Sequence, residues 1–241
     1  MRLNFWQRDA SPLEALYGEE SAVAELAVAE NATVSEKAER YDTITRWLLY
    51  IGAALLPVFF LPWTTSVLEL GKQTLLVFVA GGGLITWLLG VVISGQVKFR
   101  STLIDKAVLV FLAATALATV FSSSRGKSLF GLSISLSESL ITILAVSIIY
   151  FLAVNVFDDR GKKLTSIFTG SLVVALALGL LQMFAVYILG FDFAHSRAFN
   201  TVGSLNSLGF LAAVALPLFI KTRLLIARNA YLDLAKVGLV A

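Results

Sequence analysis

The sequence contains no cysteine and a single histidine, His195. Without cysteine the chain has neither disulfide bonds nor thiolate chemistry. One histidine cannot supply the several imidazole ligands that transition metals take from proteins. The motifs HExxH and GxSxG are missing, and the run SRGKS has Phe121 where a phosphate-binding loop requires glycine. We therefore expect no metal ion and no cofactor.

Charged residues are also scarce. They make up 15% of the chain, whereas soluble domains carry about a quarter. Hydrophobic residues make up 58%, and the mean hydropathy is +0.84. This composition predicts an all-α, polytopic integral membrane helical bundle. Residues 1–42 hold nine acids and four bases, and the remainder is net basic by eight. Loop charges that set membrane orientation explain this basic excess, so no nucleic acid partner is expected.

Long apolar runs predict about six membrane spans, since a helix needs about 20 residues to cross a bilayer. The predicted spans are 44–63, 72–94, 103–121, 137–157, 164–189 and 203–220. A seventh begins at Tyr231 and has only about eleven residues before Ala241. We therefore expect a truncated chain or the first part of a longer protein. Residues 1–43 form a polar, acidic segment, either solvated helix or disorder, and residues 44–241 form the transmembrane domain.

The basic residues divide unevenly between the two sides of the predicted spans. With the N-terminus in the cytoplasm, fifteen lysines and arginines fall on the cytoplasmic side and four fall outside. Cytoplasmic loops carry an excess of basic residues, so the sequence predicts a multi-pass protein of the inner (cytoplasmic) membrane with a cytoplasmic N-terminus. The four outer bases run against this bias and require an explanation: Lys72, Arg125, Lys127 and Arg197.

Three of these outer bases lie in two loops. Arg125 and Lys127 follow the third span, whereas Arg197 precedes the sixth span and Asn206 lies about one turn inside it. If the loops converge, three cations and an amide line an outer-facing cavity. Arginine presents a fork that fits phosphate oxygens and lysine adds a point charge, so this set suits a diphosphate. Such a cavity would stabilise a diphosphate leaving group without a metal.

Each candidate residue also has an ordinary structural interpretation. The basic side chains can extend to lipid headgroups. Asn206 and Gln182 can form hydrogen bonds between helices. His195 can be a solvated loop residue, because loops run over the surface. The residues alone leave both interpretations open.

One stretch suggests a family. The run RAFNTVGSLNSLGFLAAVALPL contains, in order, Arg197, Gly203, Asn206, Gly209 and Pro217. This order resembles the "R…G…N.N.lg…lPL" signature of the O-antigen ligase and O-antigen polymerase-like membrane proteins. The upstream run FSSSRGKSLFG is similar to the outer loop that follows an early span in that family. The likeness extends from about residue 44 to residue 217, although SLN stands where the family often has Asn-Pro-Asn.

The resemblance implies an inverting, metal-independent glycosyltransferase with a GT-C-like membrane fold. Such enzymes transfer a glycan from undecaprenyl diphosphate to a lipid, glycan or protein acceptor on the outer face of the inner membrane. The resemblance implies that Arg197 engages the donor diphosphate and that Asn206 is the motif amide, with Arg125 and Lys127 in electrostatic support. The histidine proposed as the family's general base lies in a later outer loop, outside this chain. No residue is therefore assigned as the catalytic base.

Two other functions remain open. A non-catalytic transporter or flippase-type protein for lipid or amphipathic cargo would contain broken helices, which Gly81–Gly83 and Pro57 permit. An inactive membrane fragment is the second alternative, given the short apolar run before Ala241. The expected partners are the bilayer and, for the transferase, the undecaprenyl-diphosphate-linked glycan and its acceptor.

Overall fold

Helices dominate the part of the chain that this computed structural model describes, and no strand occurs there. The described residues are 12–60, 69–97, 99–100, 102–131, 139–157, 161–188, 190–191, 194–197 and 199–220, with backbone alone for 12–28 and 30–31. The helices are α1 (Pro12–Leu55), α2 (Glu69–Ser94), α3 (Leu103–Val120), α4 (Arg125–Phe130), α5 (Leu140–Val156), α6 (Lys162–Met183) and α7 (Leu205–Ile220). The expected all-α class is confirmed for these residues.

Three of the helices, α2, α3 and α6, are long and apolar enough to cross a bilayer. Helices α5 and α7 are apolar but shorter. Large apolar side chains such as Phe78, Val92, Leu103 and Phe210 lie exposed on the outside of the bundle. Exposure of these apolar side chains to water would be unfavourable, whereas their contact with lipid hydrocarbon is not. The membrane class is therefore supported, by three helices of full length.

Helix α1 is longer than any predicted span. It runs without a break for 44 residues, which is about 66 Å at 1.5 Å per residue, roughly twice the thickness of a hydrocarbon core. The acidic N-terminal segment is thus helical from Pro12 and continuous with the first apolar run. The helix ends at Leu55, and a turn containing Pro57 follows. The rest of the predicted first span, 61–63, lies outside the described residues.

Close packing of α1, α2 and α5 forms the centre of the bundle. Leu49, Val79 and Leu152, one from each helix, are buried together. Glycines permit the short approach of these helices: a Cβ atom on Gly52 would lie 2.9 Å from Val79, and one on Gly83 would lie 2.9 Å from Leu152. Small residues at helix contacts are typical of membrane bundles, because packing rather than hydrophobic burial holds the helices together.

Helix α4 lies in a stretch predicted to be a loop. The remaining helix limits agree with the sequence prediction to within a few residues, with one exception. Helix α6 ends at Met183, although the predicted span continued to residue 189. Helix α2 passes through Gly81–Gly83 without interruption. The predicted seventh span, from residue 231, lies outside the described residues. Helix α1 crosses the predicted boundary at residues 43 and 44, and the division into two domains stays a prediction.

Candidate functional site

The first turn of α2 contacts the loop that precedes α7. Lys72 Nζ donates hydrogen bonds to the carbonyl oxygens of Thr201 at 2.6 Å and Val202 at 3.3 Å. The Lys72 side chain is half-buried. An ammonium group has three N–H donors, so two carbonyls leave one donor for a further partner. Lys72 therefore holds the loop before α7 and also places a positive charge at this end of the bundle.

An asparagine fixes the shape of that loop. The side-chain oxygen of Asn200 accepts hydrogen bonds from the backbone N–H groups of Val202 at 3.0 Å and Gly203 at 2.8 Å. Asn200 is buried, with 1% of its surface exposed. Gly203 has a φ of 140°, a conformation that residues with a Cβ atom rarely adopt. Asn200 therefore fixes the turn that leads into α7.

The next residue on α2 holds the segment between α3 and α5. Gln73 Nε2 donates to the carbonyl oxygen of Phe130 at 3.2 Å and to Ser139 Oγ at 2.9 Å. Phe130 ends α4, and Ser139 is the N-cap residue of α5, where its hydroxyl accepts from the backbone N–H of Thr142 at 3.3 Å. Gln73 thus joins the segment after α3 to the start of α5.

Lys72 and Gln73 are adjacent, so the two loops that the sequence singled out meet at one helical turn. We call this meeting point the Lys72 junction, and it comprises Lys72, Gln73, Phe130, Ser139 and the loop 199–203. Each loop is thus bonded to the same turn of α2, through a lysine, two amides and backbone carbonyls. Lys72 is one of the four predicted outer bases, and its contacts give it a structural role.

The four residues predicted to bind substrate are all exposed: Arg125, Lys127, Arg197 and Asn206. Arg125 Nε donates to the carbonyl oxygen of Val120 at 3.1 Å, which leaves its two terminal nitrogens for other partners. Among the described residues, no hydrogen bond joins any of the four to another. The structure therefore brings their loops together without bringing the four side chains into mutual contact.

Gln182 positions the loop that carries Arg197. It is buried, and in the amide orientation that satisfies its surroundings Nε2 donates to the carbonyl oxygens of Ala194 at 3.0 Å and Ser196 at 3.2 Å. These two carbonyls flank His195, whose ring packs 5.4 Å from the ring of Tyr187. The sequence suggested that Gln182 bonds to a neighbouring helix, whereas here it ties α6 to a loop.

An apolar cavity of 310 Å³ begins one helical turn from Lys72. Leu75 and Leu76 of α2 line it, together with residues of α1, α5 and α6 and Leu218 of α7. Ligand pockets typically measure about 300–1,000 Å³ and have mostly apolar walls. The polar junction and the apolar cavity thus lie in sequence along the same helix.

Two further features bear on the chemistry of the junction. The Thr201 hydroxyl is buried and has no hydrogen-bond partner in the described part of the chain. Over the same residues, no group of three or more histidine, aspartate or glutamate side chains is placed to hold a metal ion. The functional groups at the junction are one ammonium, two amides and two hydroxyls, which are groups that bind anions and sugars.

Comparison of the chain with known protein families, with curated proteins and with solved structures finds no match. The function proposed below therefore rests on the residues, their geometry and the stated resemblance.

Proposed function

We propose that the chain is the donor-binding part of a membrane glycosyltransferase of the O-antigen ligase or polymerase type. It acts in the transfer of a glycan from undecaprenyl diphosphate to a lipid or glycan acceptor on the outer face of the inner membrane. The observation that carries the proposal is the Lys72 junction, where two loops with basic residues meet one helical turn from an apolar cavity. A lipid-linked diphosphate requires both cations for its head and apolar walls for its chain.

The proposal gives each predicted residue a role. Arg197 binds the diphosphate through its planar fork, and its exposure leaves it accessible to a ligand. Arg125 and Lys127 supply positive charge from the other loop. Asn206 lies in the first turn of α7, close in sequence to the loop that Lys72 holds. The reaction uses no metal, because the guanidinium and ammonium groups stabilise the charge of the departing diphosphate. The general base is not assigned to a described residue.

The proposed topology places the N-terminus in the cytoplasm and uses six spans. Helices α2, α3 and α6 are the full-length ones. The apolar end of α1 and the shorter helices α5 and α7 complete the six. The uneven distribution of basic residues supports this orientation. In this orientation the Lys72 junction lies on the outer side of the membrane.

Binding of farnesyl diphosphate to the purified chain in detergent tests the proposal directly. Arg197→Ala should weaken binding by about tenfold or more, the loss expected when a charge-assisted hydrogen bond to phosphate is removed. Arg197→Lys should restore part of the affinity, since it keeps the charge and loses the fork. In cells that produce the protein, Arg197→Ala should abolish glycan transfer and leave membrane insertion intact.

The matched control is Arg40→Ala, an exposed arginine on α1 that pairs with Glu36 at 2.7 Å, far along the chain from the junction. It should change neither binding nor transfer. Undiminished binding and transfer in Arg197→Ala would count against the proposed function.

The transporter alternative has no comparable support. It predicts broken helices; α1 does end at a turn containing Pro57, but α2 runs through its three glycines as one helix. We therefore propose the transferase alone.

A further inference from the structure

A second cavity lies at the opposite end of the bundle from the Lys72 junction. It measures 660 Å³ and is bounded by α1, by the end of α2 and by the end of α5. Its charged side chains are two carboxylates, Glu39 and Asp42, and two guanidiniums, Arg46 and Arg100. A cavity with two charges of each sign has no net charge, so it does not select simply for an anion or a cation.

The two guanidiniums lie at the C-terminal end of α5. Arg46 Nε donates to the carbonyl oxygen of Val156 at 3.2 Å, and Arg100 Nη1 donates to the carbonyl oxygen of Phe157 at 3.3 Å. These are neighbouring carbonyls, so both cations are held at one place. A helix C-terminus attracts positive charge, which accounts for their position. The bond to Val156 uses one of the five N–H donors of Arg46, and the others can serve a phosphate.

The carboxylates lie on α1, on the wall formed with α2. Asp42 is one turn before Arg46, yet no ion pair between them occurs among the described residues, because Arg46 extends to α5 instead. Gly90 of α2 is buried beside Asp42, and a Cβ atom there would lie 3.6 Å from Asp42 Oδ1. The glycine therefore leaves space in front of this carboxylate.

Aromatic residues place the cavity at the depth of lipid headgroups. Trp87 lines it, and Trp47, next to Arg46, is exposed on the outside of α1. Lys163 Nζ lies 5.5 Å from the ring centre of Tyr50, one turn further along α1. Tryptophan, tyrosine and lysine gather at the boundary between hydrocarbon and water. The cavity is thus within reach of phospholipids in the adjoining leaflet.

We propose that this cavity binds the headgroup of an aminophospholipid of the phosphatidylethanolamine type. The phosphate lies against Arg46 and Arg100, and the ammonium group donates its hydrogen bond to Asp42, while Glu39 adds negative charge to the same wall. The headgroup carries one charge of each sign, as the cavity carries equal numbers of both. An anionic phospholipid would bring its only charge close to two carboxylates, and phosphatidylcholine has no N–H to donate to them. This site is independent of the proposed transferase function.

The test measures the thermal unfolding midpoint of the purified chain in detergent while short-chain lipids are added, since a ligand that binds only the native state raises the midpoint. The probes are dihexanoyl phosphatidylethanolamine, phosphatidylcholine and phosphatidylglycerol, with phosphoethanolamine as the headgroup without chains. Phosphatidylethanolamine should bind about tenfold more tightly than the other two lipids, the difference expected for one charge-assisted hydrogen bond. Phosphoethanolamine alone should bind more weakly than the lipid.

Two variants separate the parts of the site. Asp42→Asn should remove the preference for phosphatidylethanolamine over phosphatidylcholine, because the carboxylate that accepts from the ammonium is lost. Arg46→Gln should weaken binding of all three lipids by about tenfold, because all contain the phosphate. Glu36→Gln and Arg40→Gln are the matched controls on the same helix, where the two residues form an exposed pair, and they should leave every affinity unchanged.

Several results would overturn the proposal. Equal affinity for phosphatidylethanolamine and phosphatidylcholine would do so, as would tighter binding of phosphatidylglycerol. Phosphoethanolamine that binds as well as the lipid would indicate a soluble ligand instead. If Arg46→Gln does not fold, Asp42→Asn decides the question, since no hydrogen bond of this carboxylate occurs among the described residues. A lipid preference that survives in Asp42→Asn contradicts the proposal.

Discussion

Lys72 Nζ lies 2.6 Å from the carbonyl oxygen of Thr201, a residue 129 positions later in the chain. This bond holds the start of α2 against the loop before α7. Gln73 makes the equivalent connection to the start of α5, through Ser139 Oγ at 2.9 Å. Two consecutive residues of one helix thus hold both loops, and the geometry of the candidate site depends on them.

Replacement of Lys72 by methionine should loosen the loop 199–203 without unfolding the bundle. Methionine keeps the apolar stem and removes the bonds to two carbonyls. A hydrogen bond from a charged group contributes about 1.5–3 kcal/mol. We therefore expect the free energy of unfolding to fall by an amount of this order. Hydrogen exchange should show faster exchange at the amides of Val202 and Gly203, while the amides of α5 keep their protection.

The control for this change is Lys106→Met, which removes an exposed lysine from α3. Its exchange pattern should match that of the unaltered protein. If Lys72→Met leaves the exchange of the loop unchanged as well, the contact does not hold the loop.

Asn200 and Asn206 should differ sharply when each is replaced by alanine. Asn200→Ala leaves two backbone N–H groups without their acceptor, at a cost of about 0.5–1.5 kcal/mol each. Asn206 is exposed, and Asn206→Ala should change the stability by less than about 0.5 kcal/mol. Thermal unfolding in detergent measures both. Asn200→Asp should retain most of the stability, because it keeps the accepting oxygen, and equal effects of the two alanine variants would contradict this account.

The helices were predictable from sequence because long apolar runs are a strong signal. The end of α6 was not. The apolar run continues past Met183 through the residues AVYIL, but Ala185 has a φ of 60° and the chain leaves the helix. The loop that follows folds back, and Gln182 binds it. A tertiary contact thus ends the helix, and hydropathy along the chain carries no information about such a contact.

The candidate site was predictable in part for a similar reason. The two loops could be identified by their basic residues, because loops on the outer side of a membrane usually carry few lysines and arginines. The partners of Lys72 could not, because they are backbone carbonyls, which every residue has. A local signal was present in Asn200, whose side chain can accept from the backbone two residues on, with a glycine at position 203. That pattern would have indicated a fixed turn before α7.

Gly179 should tolerate alanine less well than Gly170 on the same helix. A Cβ atom at Gly179 would lie 2.7 Å from Leu208 Cδ2, whereas nothing lies within 4 Å of one at Gly170. Gly170→Ala should therefore stabilise the protein by about 0.5–1 kcal/mol through helix propensity. Gly179→Ala should destabilise it, because overpacking typically costs about 1–3 kcal/mol. Thermal unfolding of both variants measures the difference.

The double variant Gly179→Ala with Leu208→Ala identifies the cause. If the clash with Leu208 is responsible, the double variant should lose less stability than the sum of its parts, since the two residues are in contact. Stabilisation by Gly179→Ala equal to that of Gly170→Ala would mean that α6 and α7 do not approach closely at this point.

Gln182 and Gln73 each hold a different outer loop, so their replacement by methionine should expose different sites to trypsin. Gln182→Met removes the donor to Ala194 and Ser196 and should speed cleavage after Arg197. Gln73→Met removes the donor to Phe130 and should speed cleavage within α4. Proteolysis requires local opening, and the loss of a hydrogen bond worth about 1 kcal/mol should raise the open population roughly fivefold. Each variant serves as the other's control, because mass spectrometry of the fragments assigns every cut. Equal acceleration at both loops would show general loosening of the bundle, and no change at either would show that the two glutamines do not hold the loops.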